Sequence, residues 1–119
     1  MLQTATVLFL LTALGGLVMA AIRFKSGENP PAWIAMLHGL LAASGLTLLA
    51  YAVLTGPVPA TATLALVLFV LAAVGGTVMS LGYKWRRRLI PKWLVGAHAV
   101  LASAGFALLL LTTYRDLIS

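Results

Sequence analysis

The sequence contains no cysteine and very few charges. Without cysteine the chain forms no disulfide and no thiolate metal site, and it cannot attach a c-type haem covalently. Charged residues make up 8% of the chain, whereas a soluble domain carries about 25%. This scarcity excludes an ordinary soluble domain. Together with an apolar content of 62%, it predicts an integral membrane protein.

Acidic residues are the rarest of the charged residues. Glu28 and Asp116 are the only two, and they lie in a loop and in the C-terminal tail. A catalytic carboxylate pair is therefore excluded, and so is an intramembrane carboxylate of the kind that proton and cation pathways use. The sequence also has no Ser-His-Asp set, nucleotide-binding loop or zinc motif. The enzyme class that stays open is a redox protein that transfers electrons.

Four apolar stretches dominate what is present. They cover about residues 5–22, 32–54, 62–82 and 93–113, and each can cross about 30 Å of hydrocarbon as a helix. In lipid the backbone must satisfy its own hydrogen bonds, so the spans are expected to be helices. Short connections then predict an all-α fold, an integral membrane four-helix up-down bundle. Residues 1–119 form a single transmembrane domain in this interpretation.

The basic residues predict the orientation of that bundle. The net charge is +6, and seven of the eight lysines and arginines lie in the loops 23–31 and 83–92. This placement argues against a nucleic-acid partner, because the charge is not on a soluble face. By the positive-inside rule both loops are cytoplasmic. The chain is thus expected in the plasma (inner) membrane, with both termini outside.

An internal repeat relates the two halves of the chain, residues 5–54 and 62–114. At an offset of 60 residues, 17 of 48 positions between residues 7–54 and 67–114 are identical. The motif Pro-x-Trp-x4-His begins at Pro31 and again at Pro91, and Gly-Gly-x-Val-Met begins at Gly15 and Gly75. The pattern predicts two tandem helical hairpins related by a pseudo-two-fold axis along the membrane normal, which makes the repeats parallel.

The repeat places one histidine in each half, and these are the candidate ligands. His38 and His98 should lie about 9 Å below the basic surface, from the rise of a helix. The expected cofactor site adds glycines and alanines at the same depth and basic residues at the loops. Its members are His38, His98, Gly15, Gly16, Gly75, Gly76, Ala42, Ala102, Arg23 and Lys84.

The leading hypothesis is one haem b per chain, with His38 and His98 as axial ligands of the iron. The glycines would make room for the flat macrocycle, and Arg23, Lys25, Lys84 and Arg86 lie on the correct side to meet the propionates. Three alternatives stay open. The histidines could only pack helices by hydrogen bonds to carbonyls or hydroxyls near Thr12 and Ser44, they could bind copper with Met19 and Met79, or the pocket could take a quinone or lipid.

With its four spans, paired histidines, facing glycines and basic loops, the chain resembles the small membrane cytochromes b. That resemblance implies a helical bundle that passes electrons between a quinol pool and an acceptor. Many members carry four ligating histidines and two haems, whereas this chain has two histidines and would hold one haem. Its expected partners are the lipid bilayer and a quinone or redox protein. A homo-oligomer and a role as a cofactor-free structural or assembly subunit also stay open.

Overall fold

The computed structural model describes the backbone of residues 1–118 and the side chains of residues 1–115. The described chain is helical, and its helices are α1 Leu2–Ser26, α2 Ala32–Thr55, α3 Ala60–Thr77 and α4 Lys92–Ile118, with a π-helical segment Val78–Lys84 that continues α3. Within this part of the chain, four stretches are long and apolar enough to cross a membrane. The prediction of a helical membrane protein is confirmed at that level.

Local sequence explains most helix ends. Gly27 ends α1 in the left-handed conformation, with φ of 73°, which glycine adopts without a steric penalty. Pro31 and Pro59 stand directly before α2 and α3 with extended backbone angles, because proline cannot supply the amide that a helix interior needs. Most helices run past the predicted limits, although α2 begins at the predicted residue. α4 includes Tyr114, where the backbone kinks, although the sequence predicted a tail from this residue onward.

The third span departs from the expected continuous α-helix. From Val78 to Lys84 the backbone is π-helical, and the wide register extends into the next loop, where the amide of Trp85 donates to the carbonyl of Ser80 at 2.9 Å. Such wide turns interrupt α-helices mainly at functional sites. The corresponding stretch of α1, residues 18–24, is ordinary α-helix. The two halves therefore differ where α3 meets the basic loop.

The helices pack around a small central core. α1 packs most extensively on α2, and α3 on α4, while narrower contacts join α1 to α4 and α2 to α3. At the centre the rings of Phe9 and Phe69 stack with centroids 3.8 Å apart and planes within 1° of parallel. Gly45 and Gly105 give these rings room, since a Cβ atom at Gly45 would lie 3.1 Å from the Phe9 ring. Large apolar side chains such as Leu40 and Leu54 are exposed on the outside of the helices, as expected for surfaces in lipid.

Polar contacts join the two helix pairs at both ends of the molecule. At one end the hydroxyls of Thr6 and Thr113 lie 3.1 Å apart. At the other, which we call the basic end (residues 23–31 and 84–92), the side chain of Asn29 bonds to the carbonyl of Arg88 and the amide of Ile90. We call the hydrogen bonds by which Asn29, Arg23 and Lys84 join the two basic loops the loop clamp.

Two basic side chains complete the loop clamp. Arg23 is buried and donates from Nε to the carbonyl of Ile90 at 3.0 Å. Lys84 donates from Nζ to the carbonyl of Pro30. The clamp thus satisfies loop carbonyls, including those of the buried residues Pro30 and Ile90, with side chains from the opposite helix pair. It closes the basic end over the interior.

Candidate functional site

A cavity of about 810 Å³ lies between the helices and receives side chains from α1, α2, α3 and α4. This volume falls in the range of about 300–1,000 Å³ that is typical of ligand pockets. Phe9 and Phe69 line it on the side of the aromatic stack, and Arg23, Lys84 and Ile90 line it at the basic end. Its remaining wall is mainly alanine, leucine and glycine. The cavity is therefore apolar with cationic groups at one end.

Both histidines line this cavity, from α2 and α4. Their ring centroids are 6.2 Å apart, and the ring planes meet at 61°. Nδ1 of His38 lies 2.9 Å from the carbonyl oxygen of Thr12 on α1, and Nδ1 of His98 lies 2.7 Å from that of Ala72 on α3. Because a carbonyl only accepts, each Nδ1 carries the proton and donates. Each neutral ring then has its lone pair on Nε2.

The Nε2 atoms are free to accept a ligand. Among the described residues, no hydrogen bond reaches either Nε2 atom. Neither imidazole is fully exposed, and over the same residues no buried side-chain nitrogen or oxygen lacks a partner. It follows that each Nε2 borders open space, and the space that both rings line is the central cavity.

Gly16 and Gly76 allow the two hydrogen bonds to form. Each lies one turn after the accepting carbonyl, at Thr12 and Ala72. In a helix the Cα–Cβ bond tilts toward the N-terminus, so a side chain at that position would lean over the carbonyl. A Cβ atom at Gly16 would lie 3.1 Å from Cε1 of His38, and one at Gly76 would lie 3.4 Å from Cε1 of His98. The glycines therefore make room first for the imidazoles.

The structure brings together most of the predicted site. Eight of the ten residues line the cavity: His38, His98, Gly16, Gly76, Ala42, Ala102, Arg23 and Lys84. Gly15 and Gly75 lie outside its lining, and a Cβ atom added at either would lie 3.8–4.0 Å from the Cβ and Nδ1 atoms of the neighbouring histidine. Gly45 and Gly105, which follow the histidines on the same helix face, pack against the phenylalanine rings instead. Lys25 and Arg86 are exposed and do not line the cavity.

Sequence reasoning missed several cavity residues. Phe9 and Phe69 occupy equivalent positions of the internal repeat, 60 residues apart, but their place beside the histidines depends on how the helices rotate. Ser80 and Pro30 also line the cavity, and no sequence signal marked either. Met19 and Met79, the alternative metal ligands, lie in the same wall.

The chain itself offers few ligands for a bare metal ion. In the part of the chain that the structure describes, no group of three or more histidine, cysteine, aspartate or glutamate residues comes together. Two imidazoles and two thioethers are the available donors. A cofactor that brings its own metal-binding atoms suits this site better than a free hard cation.

Gly16→Ala should disturb the neighbouring imidazole more than Gly76→Ala, because the added methyl would lie 3.1 Å from Cε1 of His38 and 3.4 Å from Cε1 of His98. We expect the first variant to weaken a ligand held by the histidines about tenfold, which is within the range for disturbing a group that orients a metal ligand, and the second variant to weaken it a few-fold. Titration of the purified protein with haemin as the probe measures both.

Gly96→Ala is the matched control for that comparison. A Cβ atom at Gly96 would have no neighbour within 4 Å, and alanine favours a helix by up to about 1 kcal/mol over glycine. Gly96→Ala should therefore keep or gain helix stability without touching either imidazole. Equal affinities for Gly16→Ala and Gly96→Ala would contradict the role assigned to Gly16.

No protein-family model, no curated protein and no solved structure matches this chain, so the case for a function rests on the geometry of the cavity.

Proposed function

We propose that this protein is a membrane-embedded, b-type haem-binding electron-transfer protein or subunit, with one haem held by His38 and His98. The observation that carries the proposal is the histidine pair. Two imidazoles from different helices line one cavity with centroids 6.2 Å apart, and each has its Nδ1 bound to a backbone carbonyl. In proteins, a hydrogen bond of this kind, from the ring nitrogen that does not bind the metal, orients a metal-ligating histidine.

His38 and His98 would be the residues that hold the iron, because they reach one cavity from different helices with ring centroids 6.2 Å apart. A haem held there would supply one-electron transfer. Its macrocycle would also supply the further metal-binding atoms that the described residues of this chain lack.

The other residues that line the central cavity also suit a haem. The apolar wall excludes water and favours a flat hydrophobic ligand. At the basic end Arg23 and Lys84 line the cavity, and Lys84 keeps two of its three donors after its bond to Pro30. Arg23 and Lys84 are the candidate partners of the haem propionates. The proposed site residues are thus the histidines, Gly16, Gly76, Ala42, Ala102 and the two cations, with Gly15 and Gly75 supporting the rings.

The proposed topology is two tandem helical hairpins in an up-down bundle, with a parallel pseudo-two-fold axis. Equivalent contacts recur in the two halves, since each histidine bonds to a carbonyl 26 residues earlier in the chain. The start of α1 lies against the end of α4 at Thr6 and Thr113, which suits antiparallel neighbours. The charge distribution supports placing the loops 23–31 and 83–92 in the cytoplasm and both termini outside an inner membrane.

A single haem near one surface cannot carry electrons across the bilayer alone. The proposed partners are accordingly a quinone, a redox protein or a second copy of the chain. Among these partners, the exposed residues Arg86–Arg88 favour a redox protein with an acidic surface, because opposite charges steer two proteins together.

A cofactor-free packing role for the histidines is the second candidate. The two bonds from Nδ1 to helix carbonyls are the contacts that this role requires, and each is worth about 0.6 kcal/mol in a membrane. Packing alone gives no reason for a cavity of about 810 Å³ beside two free Nε2 atoms. Copper is the third candidate, because Met19 and Met79 share the wall.

A reduced-minus-oxidised visible spectrum separates these candidates. The protein is purified from membranes of cells supplied with haem precursor, and haem is counted against protein. We expect sharp reduced α and β bands at one haem per chain. A colourless protein that also takes up no added haemin would overturn the proposal, and metal analysis of that protein would then decide between copper and a structural role.

A further inference from the structure

We propose that a second, smaller cavity at the basic end binds the phosphate head group of an anionic phospholipid. This cavity measures about 240 Å³ and lies between the start of α2 and the π-helical segment. It is lined by Ala32, Ala35, Met36, Ser80, Lys84 and Trp85. Ala35, Ser80 and Lys84 also line the central cavity, whereas Ala32, Met36 and Trp85 line the smaller cavity alone, so a variant at Ala32 separates this proposal from the haem proposal.

The cavity opens on the outer surface of the helices. Met36 and Trp85, which flank it, are 66% and 74% exposed. In a membrane these side chains face lipid, and tryptophan favours the level of the head groups. A ligand that enters here therefore comes from the bilayer and keeps its apolar part in it.

The polar groups of this cavity are donors. The ammonium of Lys84 uses one donor on the carbonyl of Pro30 and has two left. The hydroxyl of Ser80 makes no hydrogen bond within the described residues, and since none of their buried polar side-chain atoms is unsatisfied, it borders open space. Many other hydroxyls bond to the carbonyl four residues earlier, as Thr77 does on Ala73.

Charge complementarity selects an anion. Arg86, Arg87 and Arg88 follow the cavity directly and are exposed, so the local potential is strongly positive. Such charges near a membrane surface attract anionic lipid. Basic pockets between membrane helices are sites for phosphate-bearing head groups. One positive and one neutral donor inside a small cavity suit a phosphate oxygen pair.

The opposite side of the molecule supplies an internal comparison. At the offset of 60 residues, Ala20 corresponds to Ser80 and Phe24 to Lys84, while Lys92 corresponds to Ala32. There Nζ of Lys92 lies 5.9 Å from the centre of the Phe24 ring. This side has the same number of lysines but no serine, and its ammonium lies over an aromatic face. Lys92→Gln therefore removes an equal charge at the same end of the molecule without touching the proposed site.

The test measures retained lipid by native mass spectrometry. Wild type and variants are reconstituted with phosphatidylcholine containing a minor fraction of phosphatidylglycerol, and then extracted in mild detergent. We expect one tightly bound phosphatidylglycerol on the wild type. Lys84→Gln should weaken its retention about tenfold, as loss of a charge-assisted hydrogen bond does. Lys92→Gln should change retention less than twofold.

Two further variants keep the experiment decisive. Ala32→Phe fills the cavity but leaves Lys84, so it should also weaken retention about tenfold, while the haem spectrum stays as in wild type because Ala32 does not line the central cavity. Lys84→Arg should retain the lipid. Equal losses for Lys84→Gln and Lys92→Gln, or full retention by Ala32→Phe, would overturn the proposal, and so would displacement of the lipid by inorganic phosphate. The haem spectrum of the same samples reports on the separate haem proposal.

Discussion

His38→Ala and His98→Ala are each expected to abolish stoichiometric haem binding. Removing a group that only hydrogen-bonds to a metal ligand already costs about 10–100-fold in metal affinity. Loss of either histidine ligand should therefore cost more than about 100-fold. Each variant gives up one histidine hydrogen bond, worth about 0.6 kcal/mol in a membrane, and should still fold. Haem content per protein and the reduced-minus-oxidised spectrum measure the result.

Met19→Leu is the matched control for the histidine variants. Met19 lines the same cavity, and leucine keeps its apolar volume but removes the sulfur. We expect this variant to keep the full haem spectrum. If one histidine variant kept stoichiometric haem with an unchanged spectrum, the symmetric site would be wrong. If Met19→Leu instead removed a bound copper ion from a haem-free protein, the copper site would replace it.

Phe9→Ala is expected to give the largest loss of stability. Phe9 is 5% exposed and stacks on Phe69 at 3.8 Å, so its removal leaves a void that no neighbour fills. We expect a loss of about 3 kcal/mol, the lower end of the range for phenylalanine in soluble cores. The lower end applies because lipid, and not water, surrounds much of the unfolded chain. Unfolding in mixed micelles by a denaturing detergent measures it.

Leu10→Ala on the same helix is the comparison for Phe9→Ala. Leu10 is 46% exposed and faces the lipid side, where acyl chains can fill the lost volume. Its cost should stay below about 1 kcal/mol, since surface substitutions are usually small. Equal losses for the two variants would show that the stacked pair does not form the core.

Hydropathy, proline positions and the rarity of histidine were enough to predict the spans and the histidine pair. These signals are strong because lipid forces helices and a polar ring in lipid stands out. The choice between Gly15 and Gly16 was not predictable, since successive helical residues point 100° apart and helix rotation is a property of the packed molecule. The same applies to Gly45, which lies on the face of His38 but about two turns further along α2, where it packs against the Phe9 ring.

The π-helical segment and the loop clamp were invisible in the sequence for another reason. The register from Val78 to Lys84 is set by how the following loop closes, and Arg87 in that loop adopts a φ of 56°, which its own side chain does not favour. Asn29 is an ordinary turn residue until its amide meets Arg88 and Ile90 from the other half of the chain. Such contacts depend on residues about 60 positions away.

The loop clamp affects how long a bound ligand would stay in the central cavity. Arg23, Pro30, Lys84 and Ile90 line the central cavity and also belong to the clamp or accept its hydrogen bonds. A flat ligand bound in the central cavity would have to break those hydrogen bonds to leave through this end, because they join one helix pair to the other. Its dissociation would then depend on the opening of the two loops. The residence time of the ligand would far exceed the time that two nitrogen ligands alone would give.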